Sequence, residues 1–158
     1  VGAAMGIEIE RKFLVKDDAY RKISKPTLYR QGYMCKDPKS VVRVRVYENK
    51  GFITIKSHKI GFTRSEFEYD IPYEDALFML DNLCYKPIIE KYRYKIKVDD
   101  VVWEVDEFVG VNEGLVIAEI ELSNENQSFS LPVWIDKEVT GDPRYHNSNL
   151  VINPFSLW

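Results

Sequence analysis

The sequence predicts a β-rich α+β fold: an eight-stranded antiparallel barrel closed on itself, with a few flanking helices. Apolar and charged residues alternate with period two along seven stretches, the pattern of strands with two unlike faces. Turn residues separate these stretches, which makes the order mostly antiparallel. Closure then follows, because long antiparallel strands otherwise expose pairing edges. At 158 residues the chain is expected to be one domain, residues 1–158.

Ile7 to Phe13 sets Glu8, Glu10 and Lys12 against mainly apolar neighbours. Leu28 to Lys36 is an eighth strand with weaker alternation, and Val41 to Tyr47 sets Arg43 and Arg45 against Val42, Val44 and Val46. After the turn Asn49-Lys50-Gly51, Phe52 to Lys56 opposes Thr54 and Lys56 to Ile53 and Ile55. Past Ile60-Gly61, Arg64 to Ile71 carries Arg64, Glu66, Glu68 and Asp70 opposite Phe67, Tyr69 and Ile71. Behind Pro72, the spacing of Ala76, Leu77, Leu80 and Leu83 predicts an amphipathic helix over 73–83. Lys91, Arg93, Lys95 and Lys97 then oppose Tyr92, Tyr94, Ile96 and Val98, and Asp99-Asp100 turns the chain into Trp103, Glu104, Val105 and Asp106. Asn112-Glu113-Gly114 introduces the last strand, where Glu119 and Glu121 oppose Ala118, Ile120 and Leu122. Pro132 to Val139 reads as a short helix, with Trp134, Ile135 and Val139 near one face. Asp142-Pro143 leads to a final short element around Tyr145 to Leu150.

Composition narrows the function classes. Hydrophobic residues make up 45% and aromatic residues 13%, which excludes a disordered chain. Twenty-two basic residues against 25 acidic ones leave a net charge of -3, so no general grip on nucleic acid or an anionic membrane is expected. No apolar run reaches the roughly 18 residues of a membrane span, and cytoplasm is the default location. Cys35 and Cys84 lack metal-binding or redox spacing and are expected to be ordinary reduced thiols. The aromatic outer faces could make a homodimer. Tyr92, Tyr94, Trp103 and Trp134 are expected to form an exterior core beneath the helices, and His58 and His146 to be loop residues.

The ordinary reading of such strands puts the charged faces in water, as in an apolar-ligand carrier of lipocalin type. The charges argue against it. They are sorted by strand: Glu8 with Glu10, Glu66 with Glu68, Glu104 with Asp106 and Glu119 with Glu121 are carboxylate pairs, while Arg43 with Arg45 and Lys91 with Arg93 are basic pairs. Like charges stacked on one face repel, so stability alone would not select them. Turned inward, they would line a bore wide enough for side chains or one small ligand. Carboxylate pairs attract a hard divalent cation such as Mg²⁺ or Mn²⁺, and Arg and Lys bind phosphate oxygens. A bore with both suits a metal-chelated polyphosphate.

Glu8-Ile9-Glu10-Arg11-Lys12-Phe13-Leu14-Val15 resembles the amino-terminal E-x-E-x-K signature of the CYTH family, the triphosphate tunnel metalloenzymes, in its short bacterial form. Gln31-Gly32-Tyr33, Val42 to Arg45, Thr54 to Lys56, Arg64 to Tyr69, Glu90 to Arg93, Trp103 to Asp106 with Phe108, Ala118 to Glu121 and Val139 to Tyr145 follow in the family's order. The resemblance runs from Gly6 to Leu150. It implies an eight-stranded tunnel with triphosphate among the bases and divalent metal, Mg²⁺ or Mn²⁺, among the acids.

Carried over by position, the resemblance assigns Glu8, Glu10, Glu119 and Glu121 to a metal, with Asp106 also placed among the metal carboxylates. Glu66, Glu68 and Asp106 would serve a second metal or the attacking water, and Lys12, Arg43, Arg45, Lys56, Lys91 and Arg93 would cradle phosphates, Lys12 also counting as catalytic. Glu104 and Lys95 share the same faces. Tyr33 and the segment from Tyr145 to Asn149 fall where family members place tunnel-closing elements. The implied reaction is metal-dependent hydrolysis of inorganic triphosphate, with nucleoside triphosphates as weaker substrates. Two alternatives stay open: a class IV adenylyl cyclase making cyclic AMP from ATP, and a non-catalytic triphosphate or polyphosphate sensor.

Overall fold

The structure, a computed structural model, describes residues 6–35, 39–61 and 63–158. Among the described residues, nine strands and two α-helices follow one another as β1 (Ile7–Val15), β2 (Thr27–Tyr33), β3 (Ser40–Tyr47), β4 (Lys50–Ser57), β5 (Thr63–Ile71), α1 (Tyr73–Asn82), β6 (Ile89–Val98), β7 (Val101–Phe108), β8 (Val116–Glu121), β9 (Ile135–Glu138) and α2 (Asn147–Ile152). All eight predicted strands are present. The second ends at Tyr33, and the expected last residue, Lys36, lies outside the described residues.

Every pairing is antiparallel, and β1 to β8 close into a barrel in the order β1-β5-β4-β3-β2-β6-β7-β8. Closure rests on β1, which changes partner along its length. Ile7 to Ile9 pair with Thr63 to Ser65 of β5, and Glu10 to Leu14 pair with Ile117 to Glu121 of β8. Where β5 has peeled away, β9 takes its place, with Phe13 opposite Glu138 and Val15 opposite Ile135. The segment expected as a helix over 132–139 is therefore a turn followed by strand β9 over Ile135–Glu138. An apolar spacing of Trp134, Ile135 and Val139 does not separate the two states, and the vacated edge of β1 decides for pairing.

The charges point inward. Glu8, Glu10, Lys12, Arg43, Lys56, Glu66, Lys91, Arg93, Asp106 and Glu119 are all buried, while Phe67 and Tyr69 on the outer face of β5 are 50% and 58% exposed. A carrier with an apolar bore is ruled out by that comparison. The outer face is instead covered in patches. Ile9, Tyr94, Ile96, Trp103, Val105 and Ile120 pack with Tyr20 and Trp134 on one side. Helix α1 lays Ala76 and Leu80 on Val44 and Val46 on another. Of the four expected exterior aromatics, Tyr94, Trp103 and Trp134 are buried there, but Tyr92 remains 39% exposed because no described element covers it.

At one end of the bore the inward face turns apolar. Continuing the period-two faces of Lys12, Gln31, Lys91, Asp106 and Glu119 leads to Leu14, Tyr33, Ile89, Phe108 and Ile117, which pack with Leu150 and Val151 of α2. The carboxy-terminal helix thus lies across that end.

The β3–β4 turn is one residue pair earlier than the sequence suggests. Glu48 and Asn49 take the left-handed conformation, with φ of 51° and 61°, and Tyr47 pairs with Lys50. Gly51 is consequently a strand residue, and its role is close approach: a Cβ there would lie 2.8 Å from the Cβ of Ala76 on α1. Gly51→Ala should push α1 off the barrel and destabilise the protein by about 1–3 kcal/mol, read as a lower urea midpoint with unchanged slope.

Candidate active site

Strand order sorts the charges into two facing walls. Neighbouring strands β5, β1 and β8 carry Glu66, Glu68, Glu8, Glu10, Glu119 and Glu121, and β3, β2 and β6 carry Arg43, Arg45, Lys91 and Arg93 around Gln31. Seven glutamates and eight lysines or arginines line the cavity between them. Its volume of about 130 Å³ is below the roughly 300–1,000 Å³ of a drug-sized ligand site and suits a small polyanion.

On the acidic wall, Glu10 lies directly opposite Glu121, and Glu119 opposite Glu104. Lysines interleave with them. Lys12 Nζ is 3.3 Å from Glu119 and 3.7 Å from Glu10, and Lys56 Nζ bridges Glu8 at 2.9 Å and Glu66 at 3.2 Å. Against its own burial, Lys56 and Arg64 hold Glu8 well below the usual carboxylate range. Those partners do not suffice for the rest. Burial and the nearby Glu119 and Glu8 push Glu10 up to about 7, and burial with Glu8, Glu66 and Glu10 pushes Glu121 up to about 8.

The basic wall shows the opposite imbalance. Burial and the neighbouring Arg43 and Arg93 pull Arg45 down to about 10. Burial pulls Lys91 down to about 7, with Arg93 and Arg45 adding to it against the pull of Asp106. Arg43 donates to Thr54 at 3.2 Å and lies 3.6 Å from Glu68, while its buried Nε has no hydrogen-bond partner among the described residues. Arg45 and Arg93 both lie over the ring of Tyr29. Each wall holds more charge of one sign than its own pairs neutralise.

The three carboxylates of Glu8, Glu66 and Glu121 present oxygens all within 4.8 Å of one another, a donor set that fits a hard divalent cation. Glu10 and Glu119 adjoin this cluster across the β1–β8 ladder. Asp106 is set apart. It is fully buried, does not line the cavity, and gives both oxygens to Arg93 at 2.7 and 2.8 Å and one to Lys91 at 2.7 Å. Arg93 and Lys91 hold it low despite its burial. Glu104 lies 3.3 Å from Arg93 and 3.9 Å from Lys95, two residues further along the β6–β7 ladder.

Some lining residues escaped the sequence reading as site residues. Arg64 pairs with Glu8 at 3.2 Å, and alternation alone placed it on the inward face. Gln31, 1% exposed, carries no charge and so gave no signal in a search for charged pairs. Asn147 comes from α2, outside the barrel. His146, expected in a loop, lines the end of the cavity, where burial and then Lys12, Lys59 and Arg64 lower it to about 4 and keep it neutral.

A closed antiparallel barrel with an acidic and a basic wall facing across a small bore defines a class of site made for a metal and a polyanion together. The CYTH domain family matches residues 6–148, and the chain belongs to that family. The inorganic triphosphatase of Acetivibrio thermocellus is 57% identical over 151 residues, covering 96% of this chain and 97% of that protein. The crystal structure of the inorganic triphosphatase NE1496 superposes with a TM-score of 0.64 at 34% identity, covering 92% of this chain and 94% of the other. PH1012 from Pyrococcus horikoshii OT3, at 22% identity and a TM-score of 0.58 over 75% of this chain and 80% of that one, shares the fold.

Proposed function

We propose that the chain, acting as one domain over residues 1–158, hydrolyses inorganic triphosphate with a divalent metal, Mg²⁺ or Mn²⁺. The observation that carries this reading is the pair of facing walls, each with uncompensated charge of one sign. The 57% identical relative named inorganic triphosphatase supports the substrate. Glu8, Glu66 and Glu121, with Glu10 and Glu119 beside them, would hold the metal, and Arg43, Arg45, Lys56, Lys91, Arg93 and Lys12 would bind the phosphates. A bound divalent cation neutralises phosphoryl oxygens as charge develops on them.

The chain's own groups do the rest. Forked Arg43 and Arg45 fix the polyanion in line, which is most of what phosphoryl transfer asks of a protein. Lys12 stands within the acidic wall, where, against the cost of burial, Glu119 and Glu10 hold it charged, up to about 12. Glu68 accepts from Thr54 and lies beside Arg43, the place from which a carboxylate would orient water toward a terminal phosphorus. Water adds to that phosphorus, the bond to the bridging oxygen breaks, and orthophosphate and pyrophosphate leave. Asp106 acts from behind by holding Arg93 and Lys91 in place rather than by touching metal or water.

No helix among the described residues is long and apolar enough to cross a membrane. Cys35 and Cys84 form no disulfide among the described residues, which agrees with the reducing cytoplasm we propose for the protein.

The experiment is a substrate panel: inorganic triphosphate, ATP and thiamine triphosphate, each with Mg²⁺ and with Mn²⁺, scored for orthophosphate, pyrophosphate and cyclic AMP. Orthophosphate from inorganic triphosphate should exceed product from the other two. Cyclic AMP and pyrophosphate from ATP as the main products would assign a cyclase instead.

A further inference from the structure

We propose that Asn147, which α2 carries into the barrel, is a positioning residue that orients the Lys91 ammonium directly and the Arg45 guanidinium through Gln31. This rests on the reading of the bore as a triphosphate site. An ammonium has three donors. Lys91 spends one on Asp106 Oδ2 at 2.7 Å and one on Asn147 Oδ1 at 2.9 Å, and its side chain also lines the cavity. Asn147 Oδ1 also accepts from Gln31 Nε2 at 3.2 Å, and Gln31 Oε1 accepts from Arg45 Nε at 2.9 Å. Gln31 Nε2 further donates to the Tyr33 hydroxyl at 2.8 Å. A continuous chain of hydrogen bonds therefore joins two cations of the basic wall through two neutral amides.

Neutrality is what makes these amides useful. Asp106 already gives Lys91 and Arg93 a counter-charge, and another carboxylate would compete with phosphate for the same cations. An amide oxygen fixes the direction of a cation's donors and leaves its charge for the ligand. Gln31 belongs to the barrel, but Asn147 does not: it begins the short helix whose Leu150 and Val151 pack across the apolar end of the bore. Seating of the carboxy-terminal segment and orientation of the basic wall are thereby one event.

The test compares the full chain with Asn147→Ala, Asn147→Asp, Lys91→Ala and the Asn147→Ala/Lys91→Ala double variant in triphosphate hydrolysis. A misdirected ammonium should lower kcat by about tenfold to a hundredfold in Asn147→Ala, with KM moving less than about threefold. Asn147→Asp keeps both accepted hydrogen bonds, so its kcat should recover toward wild type while its added negative charge raises KM. With Lys91 already removed, Asn147→Ala should cost less than about twofold more. Equal losses in both backgrounds, or a wild-type kcat in Asn147→Ala, would overturn the proposal.

A readout independent of turnover keeps this apart from the proposed activity. In protein labelled with ¹⁵N at lysine Nζ, the Lys91 resonance, assigned by its loss in Lys91→Ala, should shift and exchange faster with water in Asn147→Ala. An unmoved resonance overturns the positioning role even if triphosphate turns out not to be hydrolysed. An inactive wild type with a shifted resonance would instead remove the triphosphatase reading and leave the tether.

Discussion

Glu10→Gln should abolish most activity and at the same time stabilise the fold. Glu10 is buried opposite Glu121 and beside Glu119 and Glu8, so its charge is costly whenever no cation offsets it. Its carboxyl is raised from 4.5 to about 7, which means the folded state keeps a proton that the unfolded chain has released. The contribution of Glu10 to stability therefore falls as pH rises from about 4.5 through 7. Each pH unit across that window removes about 1.36 kcal/mol, for a total of up to roughly 3 kcal/mol. Glutamine has the same shape without that charge. In chelator, the melting temperature of Glu10→Gln should exceed wild type by more at pH 8 than at pH 5. Triphosphate hydrolysis with Mg²⁺ or Mn²⁺ should meanwhile fall by about 10²–10³-fold, the loss expected when a carboxylate that helps hold the charge-stabilising metal is removed. Undiminished turnover would remove Glu10 from the site, and an equal melting temperature at both pH values would remove the crowding of the acidic wall.

Asp106→Asn should be the most damaging single change to the fold. The side chain is fully buried and receives three charge-assisted bonds, two from Arg93 and one from Lys91. Asparagine would offer one oxygen where two cations need both, and would turn an amide toward their donors. Breaking a buried ion pair by removing one partner costs about 3–5 kcal/mol, because the remaining charge stays buried without compensation. For a chain of this size the melting temperature should drop by about 6–20 °C. Adding Lys91→Met should recover part of the loss, since one of the two orphaned cations is then gone. A recovery of nothing would mean that the damage comes from Arg93 alone, and a drop of less than about 1 kcal/mol, the worth of an exposed pair, would contradict the buried bridge.

The barrel was legible because its faces differ so sharply. Period-two alternation located each of β1 to β8, and stacked like charges at Glu8 and Glu10 or Arg43 and Arg45 made an outward orientation physically poor, so the inside-out pleat could be inferred before any contact was seen. What could not be read depends on who pairs with whom. The strand character of Ile135–Glu138 comes from β1 losing β5 after Ile9, which no local pattern encodes. Gly51 reads as a turn residue unless one knows that Ala76 lies above it. The site behaved the same way. Charged residues on strands announced themselves by alternation, including Arg64, whose pairing with Glu8 is a register fact. Neutral Gln31, and Asn147 arriving from beyond the barrel, had no such signature. Asp106 shares its face with Glu104, and only depth in the barrel separates a buried counter-ion from a carboxylate that lines the bore.

The most direct test of a metal-triphosphate bore is orthophosphate release from inorganic triphosphate by the wild-type chain as Mg²⁺ or Mn²⁺ is added back to chelator-treated protein. Turnover should be absent in chelator and should rise with metal to a plateau. Turnover in chelator equal to that with metal, or none at any metal concentration while triphosphate still binds, would contradict it.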